Sequence, residues 1–394
     1  MIRQRLFVRV LIVVTTVSSL LITGAAGRDQ SALAATPPPV PRLAHAIELT
    51  RLRSAVSRTF LLPSGALTKR IYAQPINYRA ANGAWRTIDN TLVPTNQHGY
   101  AFQNRANVYR VLLPRTLRSH VIRISKGANW LAFVPTRSYQ RIRVDGSTAT
   151  YAGRGQSIEY AATSTGVKES IQLSSHSAPN VYAYRLTLAP GLSLRAVSKR
   201  GIDVLDSRGH RIFQLSAPIM TDAAGRTSRA LTLVAKQQNG IETLRLTANR
   251  RWLDAPARTY PVVIDPTTTA NFPTDQSCTI VSNDGSSSCG QVNTLSVGQS
   301  SDAYESLLQF DLQGASDSEI TSAQVHLYMM SAPYPGSTTV SAYQVTHSWD
   351  ANNVNWTTYD GTNQWTPGGD IGSTRSAPTR STAVVRAGRG RRGT

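Results

Sequence analysis

Cysteine is scarce in this chain, accounting for only two of 394 residues. Two thiols cannot build a disulfide framework or supply the four cysteines of a zinc site. Lysine and arginine are absent from residues 266–374, which carry 10 acidic residues, whereas residues 35–265 contain 32 basic and 11 acidic residues. The overall charge of +20 is therefore unevenly distributed, and the change of sign near residue 266 indicates a domain boundary.

Long apolar runs are lacking after the N-terminus, so no later segment reaches the ~20 residues of a membrane-spanning helix. Three arginines, Arg3, Arg5 and Arg9, precede an apolar run over residues 10–26, and a small-residue site follows at Ala32-Leu-Ala34. This pattern predicts a secretory signal peptide cleaved after Ala34, with an uncleaved membrane anchor as the alternative. We therefore expect a secreted, extracellular protein that is associated with the cell wall and has no stable membrane anchor.

Helical periodicity is also lacking, and short runs of alternating apolar and polar residues take its place. Examples are Val181-Tyr-Ala-Tyr-Arg-Leu-Thr-Leu188 and Thr243-Leu-Arg-Leu-Thr247, in which arginine occupies the polar phase. Turn signals such as Asp145-Gly146 and Arg208-Gly209 separate such runs. The pattern predicts an all-β protein in which two antiparallel β-sandwich-like modules follow the signal peptide.

Four blocks in the acidic half resemble the DNRLRE domain, which is grouped with carbohydrate-binding modules. They are Leu307-Leu-Gln-Phe-Asp-Leu312, Ile320-Thr-Ser-Ala-Gln-Val-His-Leu-Tyr328, Val345-Thr-His-Ser-Trp349 and Val354-Asn-Trp356. The resemblance implies an exported β-sandwich that binds carbohydrate. Members of that family continue with further strands where this chain has an arginine-rich tail. The resemblance therefore implies an incomplete, truncated module over residues 266–374. The arginine-rich composition itself predicts a disordered tail over residues 375–394, with a basic arm that attracts anionic polymers as the alternative.

Several upstream segments resemble the N-terminal region of secreted, wall-associated or Rhs-type bacterial proteins. They are Ile71-Tyr-Ala-Gln-Pro-Ile-Asn-Tyr78, Gly83-Ala-Trp-Arg-Thr-Ile-Asp-Asn90, Gly166-Val-Lys-Glu169, Ala217-Pro-Ile-Met-Thr-Asp222 and Tyr260-Pro-Val-Val-Ile-Asp-Pro266. With the charge map, this gives a signal peptide at residues 1–34, a linker at 35–47 and a basic β-rich scaffold domain at 48–265. The carbohydrate-binding module and the tail follow.

The two cysteines, Cys278 and Cys289, are 11 residues apart in a Ser/Gly/Asn-rich stretch. In an exported chain we expect them to form a disulfide bond. Free thiols and a two-ligand metal site are the alternatives. The DNRLRE family usually has an aromatic residue at the position of Cys289, so the resemblance implies that this disulfide is particular to this chain.

Carbohydrate modules bind sugars through flat aromatic rings and nearby amide or carboxylate groups, which makes the aromatic residues near the end of the acidic half candidates. The candidate ligand-binding residues are Trp365, Tyr359, Asp360 and Trp356. For Trp356, as for Trp349, packing in the sandwich core is the competing interpretation. No cofactor is expected. A structural Ca²⁺ ion at Asn283-Asp284-Gly285 or Ser301-Asp302 is a minor alternative, because these clusters lack spaced carboxylates.

Catalytic motifs are missing from the sequence. It contains neither H-E-x-x-H nor G-x-S-x-G, and nothing marks Asp350 or Asp360 as a catalytic acid. We therefore predict a non-enzymatic cell-envelope protein that binds cell-wall or extracellular polysaccharide and no nucleic acid. The alternatives are a structural fragment of a wall-associated or Rhs-type protein and, less favoured, a polysaccharide hydrolase. The basic half is expected to adhere to anionic wall material.

Overall fold

The computed structural model describes most of the chain between residues 45 and 309 and several shorter segments. The described ranges are 5–17, 45–72, 74–117, 120–197, 201–238, 241–272, 277–282, 284–289, 295–299, 302–309, 319–331, 345, 348–350 and 353–366. The chain divides into two compact units, one made of residues 1–73 and 274–394 and the other of residues 74–273. We call them the discontinuous unit and the central unit.

The discontinuous unit begins with four strands and a 3₁₀ turn at Thr50–Leu52. The strands are β1 (Arg5–Val17), β2 (Ile47–Glu48), β3 (Ser57–Leu61) and β4 (Leu67–Tyr72). Every described pairing of these strands is antiparallel. The predicted signal peptide contains β1, whereas residues 18–34 lie outside the described residues, so the signal peptide stays a prediction.

The central unit contains the next 23 strands and the helix α1 (Arg250–Leu253). The strands are β5 (Asn77–Arg79), β6 (Trp85–Thr87), β7 (Asp89–Pro94), β8 (Phe102–Ala106), β9 (Arg110–Leu113), β10 (Thr116–Leu117), β11 (Ile122–Lys126), β12 (Asn129–Pro135), β13 (Tyr139–Arg141), β14 (Arg143–Asp145), β15 (Thr148–Gly153), β16 (Gln156–Ala162), β17 (Gly166–Leu173), β18 (Val181–Leu188), β19 (Ser193–Val197), β20 (Gly201–Leu205), β21 (Arg211–Ser216), β22 (Met220–Asp222), β23 (Thr227–Ser228), β24 (Leu231–Gln238), β25 (Ile241–Ala248), β26 (Val262–Ile264) and β27 (Thr267–Thr269).

The chain then returns to the discontinuous unit with five more strands. They are β28 (Ser277–Val281), β29 (Asp284–Cys289), β30 (Leu295–Gln299), β31 (Ala303–Leu308) and β32 (Glu319–Ser331). Together with the first four strands they form a nine-stranded sheet in the order β2-β3-β4-β1-β30-β31-β28-β29, with β32 paired to β1. The antiparallel strands of both units confirm the predicted all-β class. No helix among the described residues is long and apolar enough to cross a membrane.

Two large sheets enclose the core of the central unit. One has eight strands in the order β24-β25-β18-β12-β11-β9-β8-β7, and the other has eleven, with the main path β14-β15-β16-β17-β27-β21-β20-β19. Inward side chains of both sheets belong to one buried cluster, and Phe133 of β12 contacts Tyr160 of β16 with ring centroids 6.0 Å apart. The central unit is therefore a β-sandwich.

The alternation seen in the sequence places the side chains as expected. Along β16 every second residue is buried, and the predicted run Val181–Leu188 coincides with β18. The arginines of the polar phase, Arg185 and Arg245, are exposed. The predicted turns at Gly146 and Gly209 connect neighbouring strands, and both glycines have positive φ angles of 55° and 81°.

Gly166, where β17 begins, allows two strands to approach closely. A Cβ atom added there would lie 2.0 Å from the backbone oxygen of Thr268 on β27. The carbonyl of Gly166 also lies 2.6 Å from the hydroxyl of Tyr109, which directly precedes β9 of the opposite sheet. A side chain at this position would therefore disturb both the pairing of β17 with β27 and a polar contact between the sheets.

A carboxyl group lies among the buried tyrosines of this sandwich. The hydroxyl of Tyr184, from the eight-stranded sheet, donates to Oε1 of Glu169 at 2.7 Å, and that of Tyr160 donates at 3.2 Å. Burial raises the pKa of Glu169 from its ordinary 4.5 to about 7, the two tyrosine hydroxyls oppose the rise and Asp265 adds to it. Asp265 itself forms a salt bridge with Lys168 at 2.7 Å.

We expect Glu169 to make the stability of the central unit depend on pH. Because the folded pKa exceeds the unfolded one, the protonated carboxyl stabilises the fold fully below about pH 4.5, and this contribution is lost as the pH rises through about 7. The loss is on the order of 3 kcal/mol in the free energy of unfolding. Chemical denaturation of Glu169→Gln between pH 4.5 and 8 should show a flatter pH dependence than the wild type.

Glu159→Gln is the matched control, since Glu159 lies on the opposite face of the neighbouring strand β16. It should leave the pH dependence in place, because Glu169 is still present. Equal slopes for the wild type and Glu169→Gln would contradict the role of this carboxyl.

Candidate functional site

Three tryptophans of the discontinuous unit pack on one small buried cluster. The buried members of the cluster are Cys278, Ile280, Leu307 and Val354. Trp349, Trp356 and Trp365 pack against it, and all three are half-buried. Core packing was the competing interpretation for Trp349 and Trp356. The structure packs Trp365 against the same buried cluster. We call residues 349–366, as far as they are described, the ring lobe.

The backbone of the ring lobe is held by turns in which asparagine and aspartate side chains accept backbone N–H groups. Asn355 Oδ1 accepts from the N–H of Thr357 at 2.8 Å and of Thr358 at 2.9 Å. Asp360 Oδ1 accepts from the N–H of Thr362 at 2.9 Å and of Asn363 at 2.7 Å. Such turns are the local structures that these residue types favour, and they explain why the lobe contains little regular strand.

Asp360 is therefore a structural anchor of its turn. Its second oxygen accepts from Asn363 Nδ2 at 2.7 Å, and the hydrogen bonds from Asn363 and Thr362 lower its pKa. The following residue, Gly361, has a φ of +91°, and a Cβ atom there would lie 2.8 Å from the Cβ of Asn353. A carboxyl with a lowered pKa remains ionised at neutral pH, so Asp360 suits hydrogen-bond acceptance rather than proton donation.

Tyr359 and Trp365 form an aromatic pair in the middle of the lobe. Their ring centroids are 5.6 Å apart and their planes meet at 63°. Trp365 Nε1 donates to the carbonyl of Asn355 at 2.9 Å, which leaves the ring fixed and half-exposed. Half-exposed rings offer an apolar face to a ligand while their polar atoms are bonded within the protein.

The rings are accompanied by exposed polar side chains. Asn353, Thr362, Asn363 and Gln364 are exposed at the surface of the same lobe. Amide and hydroxyl groups can both donate and accept hydrogen bonds, as the hydroxyls of a sugar require. The structure thus brings together the four predicted ligand-binding residues, Trp356, Tyr359, Asp360 and Trp365, while the exposed amides were not among them.

The two cysteines lie directly opposite each other on neighbouring strands. In the antiparallel pair β28–β29 the register places Cys278 opposite Cys289. Directly opposed residues of an antiparallel pair have Cα atoms about 4.5–5.5 Å apart, within the range of a disulfide bond. Cys278 is fully buried in the cluster on which the tryptophans pack. The disulfide bond itself stays a prediction.

We expect quantitative thiol labelling of the native, unreduced protein to detect no free thiol. Reduction should lower the stability of the discontinuous unit by roughly 2–3 kcal/mol, because the cross-link closes a short loop in the unfolded chain. The thermal unfolding temperature before and after reduction measures this effect. Labelling of two thiols per native chain would contradict the bond.

The calcium alternative stays a prediction. In the part of the chain that the structure describes, no group of three or more His, Cys, Asp or Glu side chains could hold a metal ion. Asn283 and Ser301, which belong to the two proposed clusters, lie outside the described residues. So does the arginine-rich tail.

One known protein family matches the part of the chain that contains the ring lobe. Residues 268–368 match carbohydrate-binding module family 96. The match covers the ring lobe, both cysteines and all strands from β28 to β32. A carbohydrate-binding-like module in this half was predicted from the sequence, whereas the DNRLRE family proposed there is not the family that matches and stays a prediction.

Curated relatives are distant and much longer than this chain. The tRNA nuclease WapA of Bacillus subtilis is 22% identical over 250 residues, which cover 58% of this chain and 11% of the relative. The tRNA3(Ser)-specific nuclease WapA of Bacillus spizizenii has the same identity and coverage. The tRNA(Glu)-specific nuclease WapA of Bacillus subtilis subsp. natto is 30% identical over 116 residues, 28% of this chain and 5% of the relative. No solved structure matches.

These names correct one prediction from the sequence. The chain was predicted to be non-enzymatic, and this is contradicted, because the relatives are named nucleases. The motifs sought in the sequence belong to only a few kinds of hydrolase, so their absence was weak ground for that prediction. The names of the relatives also weigh, weakly, against the prediction that the chain binds no nucleic acid.

Proposed function

We propose that this chain acts outside the cell, at the cell wall, and binds polysaccharide through its residues 268–368. The observation that carries the proposal is the match of this segment to a carbohydrate-binding module family. The ring lobe supplies what such binding needs, namely half-exposed rings flanked by exposed amides. The chain spans about a tenth of the length of the first two relatives it matches.

In this proposal Tyr359 is the principal contact with the sugar, and Trp365 both fixes and extends the ring surface. Trp365 is held by its bond to Asn355 and by the buried cluster, so its loss would disturb the lobe itself. Tyr359 is positioned by two backbone hydrogen bonds: its carbonyl accepts from the N–H of Asp350 at 2.9 Å, and its N–H donates to the carbonyl of Asn363 at 3.0 Å. Its ring can therefore be truncated with less effect on the backbone.

We expect Tyr359→Ala to weaken binding of the full chain to insoluble cell-wall polysaccharide by at least about tenfold, because the apolar ring face is lost. Tyr359→Phe keeps the ring and should retain binding within about threefold of the wild type. A pull-down with bound and free fractions measures both.

The thermal unfolding temperature of each variant shows whether the fold is retained. A folded wild-type chain that binds no polysaccharide on a glycan array would contradict the proposed function. Equal loss of binding in Tyr359→Ala and Tyr359→Phe, with both folded, would contradict the role of the ring.

The remaining expectations from the sequence belong to the same proposal. Export would use residues 1–34 as a signal peptide, and the basic residues 48–265 would form the scaffold that carries the binding module. Edman sequencing of the exported protein should begin at Ala35, and an intact Met1 would contradict cleavage.

RNA cleavage is the second candidate function, and it rests on the printed names of the relatives. Incubation of the full chain with total tRNA, followed by denaturing electrophoresis, tests it. Discrete fragments that increase with protein concentration would support it, and intact tRNA at all concentrations would contradict it.

A further inference from the structure

The outer face of the eight-stranded sheet in the central unit is lined with basic side chains. Strand alternation turns Val111, Ile124, Leu186 and Leu244 into the core, so their neighbours in sequence face outward. The outward cations are Arg110 on β9, Arg123 on β11, Arg185 on β18, Arg245 on β25 and Lys236 on β24. We call these five residues and the surface they define the basic face.

The strand register brings these cations together although they are far apart in sequence. Arg185 lies opposite Thr243 and Arg245 opposite Ala183, so the two arginines are diagonal neighbours on adjacent strands. Arg245 is also opposite Val234, two residues before Lys236. From β9 to β24 the face crosses six strands, which at about 4.8 Å per strand spacing spans about 24 Å.

The residues between the cations are uncharged. Arg123 lies between Leu112 on β9 and Ala132 on β12, and Arg185 lies opposite Val134, and these three apolar residues are buried. A strip with charges at intervals across six strands suits an extended polymer better than a compact ligand. Arg110, Arg185, Arg245 and Lys236 are exposed, and Arg123 is half-buried with its guanidinium 4.3 Å from the ring centroid of Trp130.

Negative charge is missing from the outward positions of these six strands. Their single acidic residue, Glu242, lies opposite Leu186, whose side chain is in the core, and so it faces inward. Among the described residues no carboxylate forms a salt bridge with a member of the basic face. The eleven-stranded sheet differs, because carboxylates pair with several of its outward cations, as in Lys168–Asp265 at 2.7 Å and Arg195–Asp203 at 3.3 Å.

We propose that the basic face is a second binding surface, which holds an acidic polysaccharide by its regularly spaced carboxylates. Arginine pairs with carboxylates through two parallel hydrogen bonds, and four of the five cations are arginines. Proteins that hold single-stranded RNA without sequence preference add several aromatic rings for base stacking. Trp130 is the one ring at the described outward positions, and Arg123 already covers it. Charge recognition without base stacking therefore favours the glycan.

This surface lies on a different unit from the ring lobe, so the two sites are tested by different variants. The probe is polygalacturonate, with uncharged dextran as the control ligand, titrated against the full chain at low and at 150 mM salt. Arg185→Gln with Arg245→Gln removes two exposed charges from the basic face. Arg154→Gln with Arg208→Gln removes two exposed charges from turns of the eleven-stranded sheet and is the matched control.

We expect the wild type to bind polygalacturonate and not dextran through this face, more weakly at high salt because exposed charges are screened. The Arg185/Arg245 double variant should bind at least about tenfold more weakly, and the Arg154/Arg208 variant within about twofold of the wild type. Unfolding temperatures within a few degrees of the wild type would show that all variants are folded.

Two results would overturn the proposal. The first is equal weakening by the two double variants, since binding would then follow net charge and not this surface. The second is tighter binding of tRNA than of polygalacturonate with the same sensitivity to Arg185 and Arg245, which would make the surface an RNA-binding one. The Arg185/Arg245 double variant keeps every residue of the ring lobe, so its result is read separately from that of the Tyr359 variants, which test the lobe.

Discussion

A tyrosine ring can enter a β-sandwich core only if its hydroxyl finds a partner there, and the central unit depends on this constraint. Tyr151 donates to the carbonyl of Pro114 at 2.7 Å, and Tyr109 lies 2.6 Å from the carbonyl of Thr163. Tyr184 reaches across the sandwich to Glu169. Burial raises the pKa of each of these tyrosines, so the hydroxyls remain donors at any physiological pH. These bonds help to set how the sheets face each other.

Once the inner faces are determined in this way, the outer faces follow from the same alternation. Each strand that turns tyrosine, leucine or isoleucine inward presents its intervening residues to solvent, as β18 does with Tyr184 and Arg185. The excess of arginine over residues 35–265 is therefore sorted between two outer surfaces that differ in their acidic partners. One carries carboxylates that pair with several of its cations, while the basic face carries cations without described carboxylate partners. An excess of arginine that is spread along the sequence of residues 35–265 thus produces one outer surface that is mainly basic.

Much of the fold was predictable because it rests on local patterns. The alternation of residues 181–188 predicted β18, and Gly146 and Gly209 marked turns that only a positive φ angle allows. The basic face was not predictable, because Arg123, Arg185 and Arg245 become neighbours only through the order of strands in the sheet. The buried carboxyl of Glu169 was equally hidden, since its tyrosine partners lie on other strands.

At the ring lobe the residue types were predictable and their roles were not. Aromatic composition singled out Trp356, Tyr359 and Trp365, and the structure brings them into one lobe. The sequence predicts Asp360 as a carboxylate that binds a sugar hydroxyl, yet its oxygens accept N–H groups of its own turn. This turn depends on the backbone conformation of the residues after Asp360. A single aspartate in the sequence does not specify that conformation. The exposed amides around the rings could not be predicted from the sequence for the same reason.

The central claim is that the half-exposed rings of the lobe contact polysaccharide, and hydroxyl-radical footprinting of the full chain tests it most directly. Oxidation of Tyr359, Trp356 and Trp365 is measured by mass spectrometry with and without cell-wall polysaccharide. The account predicts that polysaccharide protects Tyr359 most strongly, while half-buried Trp85 of the central unit keeps its oxidation rate. Unchanged oxidation of all three lobe residues under conditions where the chain is bound to the polysaccharide would contradict it.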